Sequence, residues 1–326
     1  MDPIVINFLN IFEFDNLQRS ENMAILPVIA GQNNGPEYLT LQEALDQRQF
    51  TITEVDQAGS VPDLKVVNNS SFYVLILDGQ ELVGAKQNRV LNTTVLVDKN
   101  TEFTIPVSCT ERGRWSYTTS KFTESESFLP RSIHIQKMAS VSDSLFQAQT
   151  HDSDQMQVWN DINRYHRETG TGSPTGAVID AYRTQETRIE ELLKPFKVAS
   201  HHNGCLVLIN NEVIGMDVLS RPEAFSKLST KLLRSYAMEA IRNKSQEGGQ
   251  VDIKKAGQFV AEARGCSEAR YKSAGLGEDF RFDSPQLIGS ALVYVGYVLH
   301  LAFFNKGYDH ASDRMASFRH RRGFRG

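Results

Sequence analysis

Two short stretches concentrate the side chains that could do chemistry: Asp78-Gly-Gln-Glu-Leu-Val-Gly-Ala-Lys-Gln-Asn-Arg-Val90 and Val107-Ser-Cys-Thr-Glu-Arg-Gly-Arg-Trp115. Lys86 supplies a point charge and Arg89 a planar fork, a pair suited to phosphate or carboxylate. The amides of Gln80, Gln87 and Asn88 can read hydroxyl groups or base edges. Arg112, Arg114 and Trp115 form a set able to clamp phosphate and stack on a base. Glu81 or Glu111 would be the general base if a reaction occurs. A plainer account stands beside this one. Glu81 and Arg89 could pair across a solvated face, and 111–115 could be a charged turn whose Trp covers the core. Cys109 would be a nucleophile only if the nearby arginines lowered its pKa; a buried, inert cysteine is the simpler expectation.

Other motifs have structural explanations. Gly170-Thr-Gly-Ser-Pro-Thr-Gly176 precedes a helical pattern, where phosphate binds readily, but it follows no strand and lacks the Lys-Ser/Thr of a P-loop. Ser173 as N-cap with Pro174 at the first helical position accounts for it. Gly275-Leu-Gly-Glu-Asp279, flanked by Tyr271 and Arg281, could hold a metal or a ribose hydroxyl pair, or simply make a tight connection. His201-His202 is expected to be a surface pair, since no second cluster of metal ligands stands at a recognised spacing. His300 lies in an apolar strand pattern as a core histidine, or as an acid–base group oriented by Asp217 or Glu239. No GxSxG, HExxH or kinase motif set is present.

The elements that must position these residues change character along the chain. Strand patterns occupy 50–55, 64–67, 72–77, 95–97 and 103–107, with turn signals at 68–71 and 98–100. Asp78-Gly79 predicts a hairpin turn. In an undistorted strand beyond it, Glu81, Val83, Ala85, Gln87 and Arg89 share one face and Lys86 and Asn88 the other, unless Gly84 hosts a bulge. Thr40 with Glu43 makes a capping box for a helix over 41–48. The polar segment 116–131 predicts a long loop. Helical periodicity then covers 154–167 and 177–193. A hairpin follows at 205–217, then helices from Pro222 and over 258–264, and a last hairpin over 289–304. This order predicts an α+β fold. It begins with an antiparallel β-sandwich or barrel-like half at 1–132, continues with a helical segment at 133–196, and ends with an α+β domain at 197–305. A basic, disordered tail is expected at 306–326.

The totals bound the function. The 326 residues are 40% hydrophobic and 23% charged, with a net charge of -4, which gives no overall attraction to nucleic acid. Only the tail, with Arg314, Arg319, Arg321, Arg322 and Arg325, offers a stretch that could contact nucleic acid. Three scattered cysteines suggest neither a disulfide framework nor structural zinc, and point to the reducing cytoplasm. An acid near Met1, where a signal peptide carries positive charge, agrees with that expectation. No apolar run approaches the roughly 20 residues that a membrane-spanning helix requires.

Three blocks together resemble a known family. The first is Leu77-Asp-Gly-Gln-Glu-Leu-Val-Gly-Ala-Lys-Gln-Asn-Arg-Val-Leu91 with Ile105-Pro-Val-Ser-Cys-Thr-Glu-Arg-Gly-Arg-Trp115. The second is Leu208-Ile-Asn-Asn-Glu-Val-Ile-Gly-Met-Asp217 with Leu232-Leu-Arg-Ser-Tyr-Ala-Met-Glu-Ala240, and the third Gly275-Leu-Gly-Glu-Asp279 with His300-Leu-Ala-Phe-Phe304. They are similar to the ARG-and-rhodanese-phosphatase-superfamily-associated protein domain, where ARG abbreviates ADP-ribosylglycohydrolase. The resemblance implies a setting in NAD and ADP-ribose metabolism and transfers no catalytic residues. It leads to a protein that binds, and in one version hydrolyses, an ADP-ribose-type nucleotide. Lys86, Arg89 and Arg112 would hold phosphate, Asn88 and Gln87 would face ribose or base, and Trp115 would stack. The alternatives are a non-catalytic module that sequesters such a nucleotide or regulates a partner, and an interaction protein without a small-molecule site. The sequence assigns no cofactor, metal or oligomeric state.

Overall fold

The computed structural model describes residues 1–31, 35–56, 58–243 and 251–308. From residue 309 on, the expected basic tail lies outside them. The fold is α+β, as the element order predicts, with strands dominating the first third, helices the middle and hairpins the end.

In the N-terminal half, a six-stranded sheet runs in the order Phe122–Phe128, Gln80–Gly84, Arg89–Leu91, Thr101–Cys109, Asp63–Asn68, Phe50–Glu54. Its two edge strands touch, so the sheet is curled. Alternating apolar residues such as Phe50, Ile52, Leu64, Val66, Leu82, Leu91, Ile105 and Val107 fill the interior of that curl. A small sheet of Tyr38–Thr40, Tyr73–Ile76 and Val95–Val97 packs beside it. The predicted capping box is present: the Thr40 N–H and hydroxyl both donate to Glu43 Oε2, at 3.0 and 2.8 Å, above the helix Leu41–Asp46.

Asp78-Gly79 is a turn but not a hairpin. Strand Tyr73–Ile76 pairs with Val95–Val97 and Tyr38–Thr40, whereas Gln80–Gly84 belongs to the curled sheet. The turn therefore hands the chain from one sheet to the other. Gly79 is required there twice over. Its φ is +80°, and a Cβ would stand 2.6 Å from the His134 ring. The segment expected as a loop at 116–131 likewise contains a strand, Phe122–Phe128. Its polar residues misled because Glu124, Ser125 and Ser127 are buried and bonded internally, not solvated.

The largest sheet has nine strands. It joins the N-terminal strand Met23–Ile29 to the hairpin Gly204–Ile209/Glu212–Leu219 and the hairpin Leu287–Tyr294/Tyr297–Asn305. Asn210 and Asn211, both left-handed at φ 50° and 64°, close the first of these hairpins. Successive residues of Gly204–Ile209 alternate between two cores: Cys205, Val207 and Ile209 face one, Leu206 and Leu208 the other. The long helix Pro222–Arg242 covers the first face and Lys254–Arg264 the second. Helices Arg131–Ala148 and Gln155–Thr169 join the first core, the latter capped by Asp154. The periodicity over 177–193 resolves into two helices, Ile179–Thr184 and Glu186–Leu193. Arg131, His134 and Lys137 recur at every third position on the inward face of their helix and are all buried.

Candidate functional site

The polar interruption after Asp78-Gly79 is the tip of a hairpin and not one continuous strand. Gly84 at φ 125° and Ala85 at φ 40° turn the chain, and a Cβ on Gly84 would come within 2.5 Å of Thr119 Oγ1. The register pairs Leu82 with Arg89 and Glu81 with Val90. Directly opposed residues share a face, so Arg89 and Glu81 point to opposite sides. The single-face arrangement expected from the sequence is thereby corrected.

On the Arg89 side the residues converge. Arg89 is fully buried. Its Nη1 donates to Gln87 Oε1 at 3.2 Å and to Asn88 O at 3.4 Å, and its Nη2 to Ser60 O at 3.4 Å. The Glu54 carboxylate stands 3.9 Å away, and Arg89 Nε has no hydrogen-bond partner. The Cys109 thiol donates to Gln87 Oε1 at 3.1 Å and Glu111 O at 3.2 Å. Burial pushes that thiol up against the opposing charge of Arg89, which makes it a poor nucleophile. Above this floor lies an open rim. Trp115 is 49% exposed, with Lys86 Nζ 5.2 Å and Arg89 Cζ 5.9 Å from its ring. Lys86 Nζ is also 5.2 Å from the half-exposed Tyr117 ring and donates to Ala58 O at 2.6 Å. The exposed Arg112 packs over Trp159 at 5.3 Å.

Glu111 laces this region together. Its carboxylate accepts from Arg114 at 2.6 Å, from the Asn88 amide at 3.2 Å and from Thr175 Oγ1 at 2.9 Å. Arg114 reaches on to Asn88 Oδ1 at 3.2 Å and Ala85 O at 2.6 Å. The glycine segment 170–176 starts no helix at Pro174. It packs against 110–113, where the Gly113 amide donates to Thr175 O at 2.6 Å. A Cβ on Gly113 would meet Thr175 Cα at 2.9 Å. Ser173 still acts as a local cap, accepting from the Ala177 amide at 2.8 Å ahead of Ile179–Thr184. The solvated-face alternative is overturned, because Lys86, Gln87, Asn88, Arg89 and Glu111 are all buried.

Two of the expected site residues sit elsewhere. Glu81 accepts from Thr110 at 3.0 Å, Ser125 at 3.1 Å and Ser127 at 3.3 Å on the far side of the hairpin. Burial raises its pKa to about 7 despite these three donors. Gln80 donates to Glu124 Oε1 at 2.5 Å and accepts from the Leu77 amide at 2.9 Å. Lys86, Gln87, Asn88, Arg89, Glu111, Arg112 and Trp115 come together. Glu54, Ser60, Tyr117, Trp159 and Thr175 complete their surroundings without having been singled out by sequence.

A second polar assembly lies where the sheets and the helix Arg131–Ala148 meet. Lys137 Nζ donates to Asp78 Oδ1 at 2.5 Å, Leu91 O at 2.8 Å and Asn92 O at 3.2 Å. Arg131 pairs with Asp217 at 2.8 Å and contacts His134 Nδ1 at 3.1 Å. A guanidinium can only donate, so His134 Nδ1 accepts and the ring proton is assigned to Nε2, 3.0 Å from Asp78 Oδ1. Burial lowers the His134 pKa, in keeping with a neutral ring. Thr94 Oγ1 accepts from the Asp78 amide at 3.1 Å and bonds His300 Nδ1 at 2.8 Å. The other ring nitrogen of His300 faces Asp217 Oδ1 at 3.6 Å, so of the two expected partners Asp217 is beside His300, while Glu239 bonds Ser132. Burial alone would raise the Asp217 pKa, yet Arg131, His300 and Tyr236 bring it down to about 2. At the far end, Asp279 Oδ2 receives Arg281 Nη2 and Thr93 Oγ1, both at 2.7 Å, with His151 at 3.2 Å.

His202 is buried, contrary to the expected surface pair. Asp15, His201 and His202 place their ligand atoms within 4.8 Å of one another. However, the Ala199 amide donates to His202 Nδ1 at 3.0 Å, so the neutral ring carries its proton on Nε2. That proton faces Asp15 Oδ2 at 2.9 Å, where a cation would have to bind. The arrangement is a hydrogen bond that ties two loops together, and it lowers the Asp15 pKa to about 2.

These features define an α+β protein that keeps most of its candidate polar groups inside and opens one aromatic, basic rim to solvent. Among the described residues no helix is long and apolar enough to cross a membrane. The chain belongs to the family of the ARG and Rhodanese-Phosphatase-superfamily-associated Protein domain, whose model matches residues 11–304. No curated protein and no solved structure matches it.

Proposed function

We propose that the protein binds an ADP-ribose-type nucleotide at the rim formed by Lys86, Arg112, Trp115 and Tyr117, with the buried Arg89 beneath it. One observation carries the reading: the half-exposed Trp115 ring has two cations, Lys86 and Arg89, close to it. An indole with a free face can stack on a base, and neighbouring cations favour the phosphates that follow the base. Family membership adds support through its named association with ADP-ribosylglycohydrolases. Binding without turnover is the better-supported form. The Glu81 carboxylate faces away from the rim, and Glu111 is held by Arg114, Asn88 and Thr175.

The test is to incubate the purified chain with NAD, ADP-ribose and cyclic ADP-ribose, following thermal shift and chromatographic product formation together. A shift without products supports binding. Products from any of the three would make the protein a hydrolase of this ligand class. No shift and no products would leave an interaction protein and end the nucleotide reading.

A further inference from the structure

A cavity of about 160 Å³ opens to the surface between the strand Tyr38–Thr40, Phe72 just before the neighbouring strand, and the start of the helix Pro222–Arg242. Its size is close to the ~150 Å³ that accommodates a benzene ring and well short of the roughly 300 Å³ at which sites for drug-sized ligands begin. Part of its wall is preset. Tyr38 is buried, and its hydroxyl shares a hydrogen bond with Ser220 Oγ at 2.9 Å. Glu43 is committed on both oxygens, Oε2 to the Thr40 N–H and hydroxyl and Oε1 to Lys227, so this pair neutralises itself. Arg221, Glu37 and Glu223 line the same space and are not matched in that way. Among the described residues Arg221 has no hydrogen bond. Its side chain caps nothing on the helix that it precedes, it lies 5.7 Å from the Tyr38 ring, and the Glu223 carboxylate stands 3.7 Å from its Nε, outside hydrogen-bond reach. Glu37 is exposed and forms no ion pair with Arg221, so the two opposite charges face one cavity but are held apart. Phe72, a large apolar side chain that is 42% exposed, faces the cavity with Leu39 and Ala224.

We propose that this cavity binds a free α-amino acid with a medium-sized apolar side chain, such as leucine. The Arg221 fork takes the carboxylate, Glu37 takes the ammonium group, and Phe72 covers the side chain. The charges select a zwitterion. Arg221 and Lys227 line the cavity against Glu37, Glu43 and Glu223, so a simple anion would meet a wall of net negative charge. A simple cation would leave the Arg221 donors without an acceptor. A zwitterion supplies both partners and leaves the balance unchanged. None of these residues belongs to the Trp115 rim, so the inference does not depend on the nucleotide reading.

The test is ligand-observed NMR on the full chain with four probes: L-leucine, glycine, isocaproate, which is leucine without its amine, and isoamylamine, which is leucine without its carboxylate. Leucine should bind saturably and more tightly than the other three, a comparison made on the unaltered chain and so independent of folding in any variant. Arg221→Gln and Glu37→Gln, both at partly or fully exposed positions, should keep the melting temperature and weaken leucine binding about tenfold or more, the loss expected for charge-assisted hydrogen bonds. Trp115→Ala should leave leucine binding unchanged. No leucine signal, isocaproate or isoamylamine binding as tightly as leucine, or undiminished binding in Arg221→Gln would overturn the proposal.

Discussion

Glu81 and Arg89 stand on opposite faces of one hairpin, because the register sets Leu82, not Glu81, against Arg89. Arg89 supports the floor of the aromatic rim, while Glu81 is enclosed with Thr110, Ser125 and Ser127. A run of polar residues that looks like one surface in the sequence therefore serves two interiors.

That separation gives Glu81 its own pH signature. Its folded pKa is raised to about 7 from an ordinary carboxylate value, so the neutral acid stabilises the fold. This contribution is complete below the ordinary value of 4.5 and is lost as pH rises through about 7. Glu81→Gln, which keeps the shape and removes the titration, should remove most of this loss. Urea unfolding at pH 6 and pH 8 should show the unaltered chain losing about 1 to 3 kcal/mol more than the variant across that interval. Parallel losses in both would show that Glu81 does not titrate there.

On the acid side the assembly around Asp78 sets the limit. His134 has a lowered pKa through burial, so its neutral form favours the fold above the ordinary histidine value of 6.5, and that advantage fades as pH falls below it. Asp217, held near 2, adds stability that persists above 3.8 and disappears as pH drops through about 2. Thermal denaturation followed from pH 7 downward should therefore show two stages of loss. Asp217→Asn should cost about 3 to 5 kcal/mol at neutral pH by leaving buried Arg131 without its counter-charge. A cost within 1 kcal/mol, as for an exposed pair, would contradict the buried ion pair.

Gly79 is a purely steric test. Gly79→Ala places a methyl group against the His134 ring and forces a left-handed backbone on alanine. Denaturant unfolding should show a loss of about 2 kcal/mol or more. Adding His134→Ala should recover part of that loss; no recovery would mean that the backbone conformation alone carries the cost.

The Asn210-Asn211 hairpin, the Thr40–Glu43 capping box and the helix opening at Pro222 were legible because local chemistry decides them. The role of Asp78-Gly79 was not. A turn signal states that the chain bends, while the pairing of Tyr73–Ile76 with Val95–Val97 depends on residues far along the chain. The strand Phe122–Phe128 was hidden for a related reason, since the residues that bury Glu124, Ser125 and Ser127 come from elsewhere in the sequence. At the candidate site, Lys86 to Arg89 and Glu111 to Trp115 were found by residue type. Their burial, and the neighbourhood of Trp159 and Thr175, required the fold. The buried assembly was visible only in fragments, as Asp78, Asp217, Asp279 and His300, because the helix face that joins them, Arg131, His134 and Lys137, falls across the boundary between the expected loop at 116–131 and the helical segment from 133.

The central claim rests on Trp115, which can be altered with little structural cost because it is half-exposed, unlike the fully buried Arg89. The most direct test is calorimetric titration of ADP-ribose into the unaltered chain and into Trp115→Ala, with melting temperatures recorded for both. Trp115→Ala should change stability by no more than about 1 kcal/mol and lower affinity at least tenfold, in line with the ~1 to 3 kcal/mol that a stacked base contributes. Equal affinity in the two proteins, or no heat of binding in either, would contradict the account.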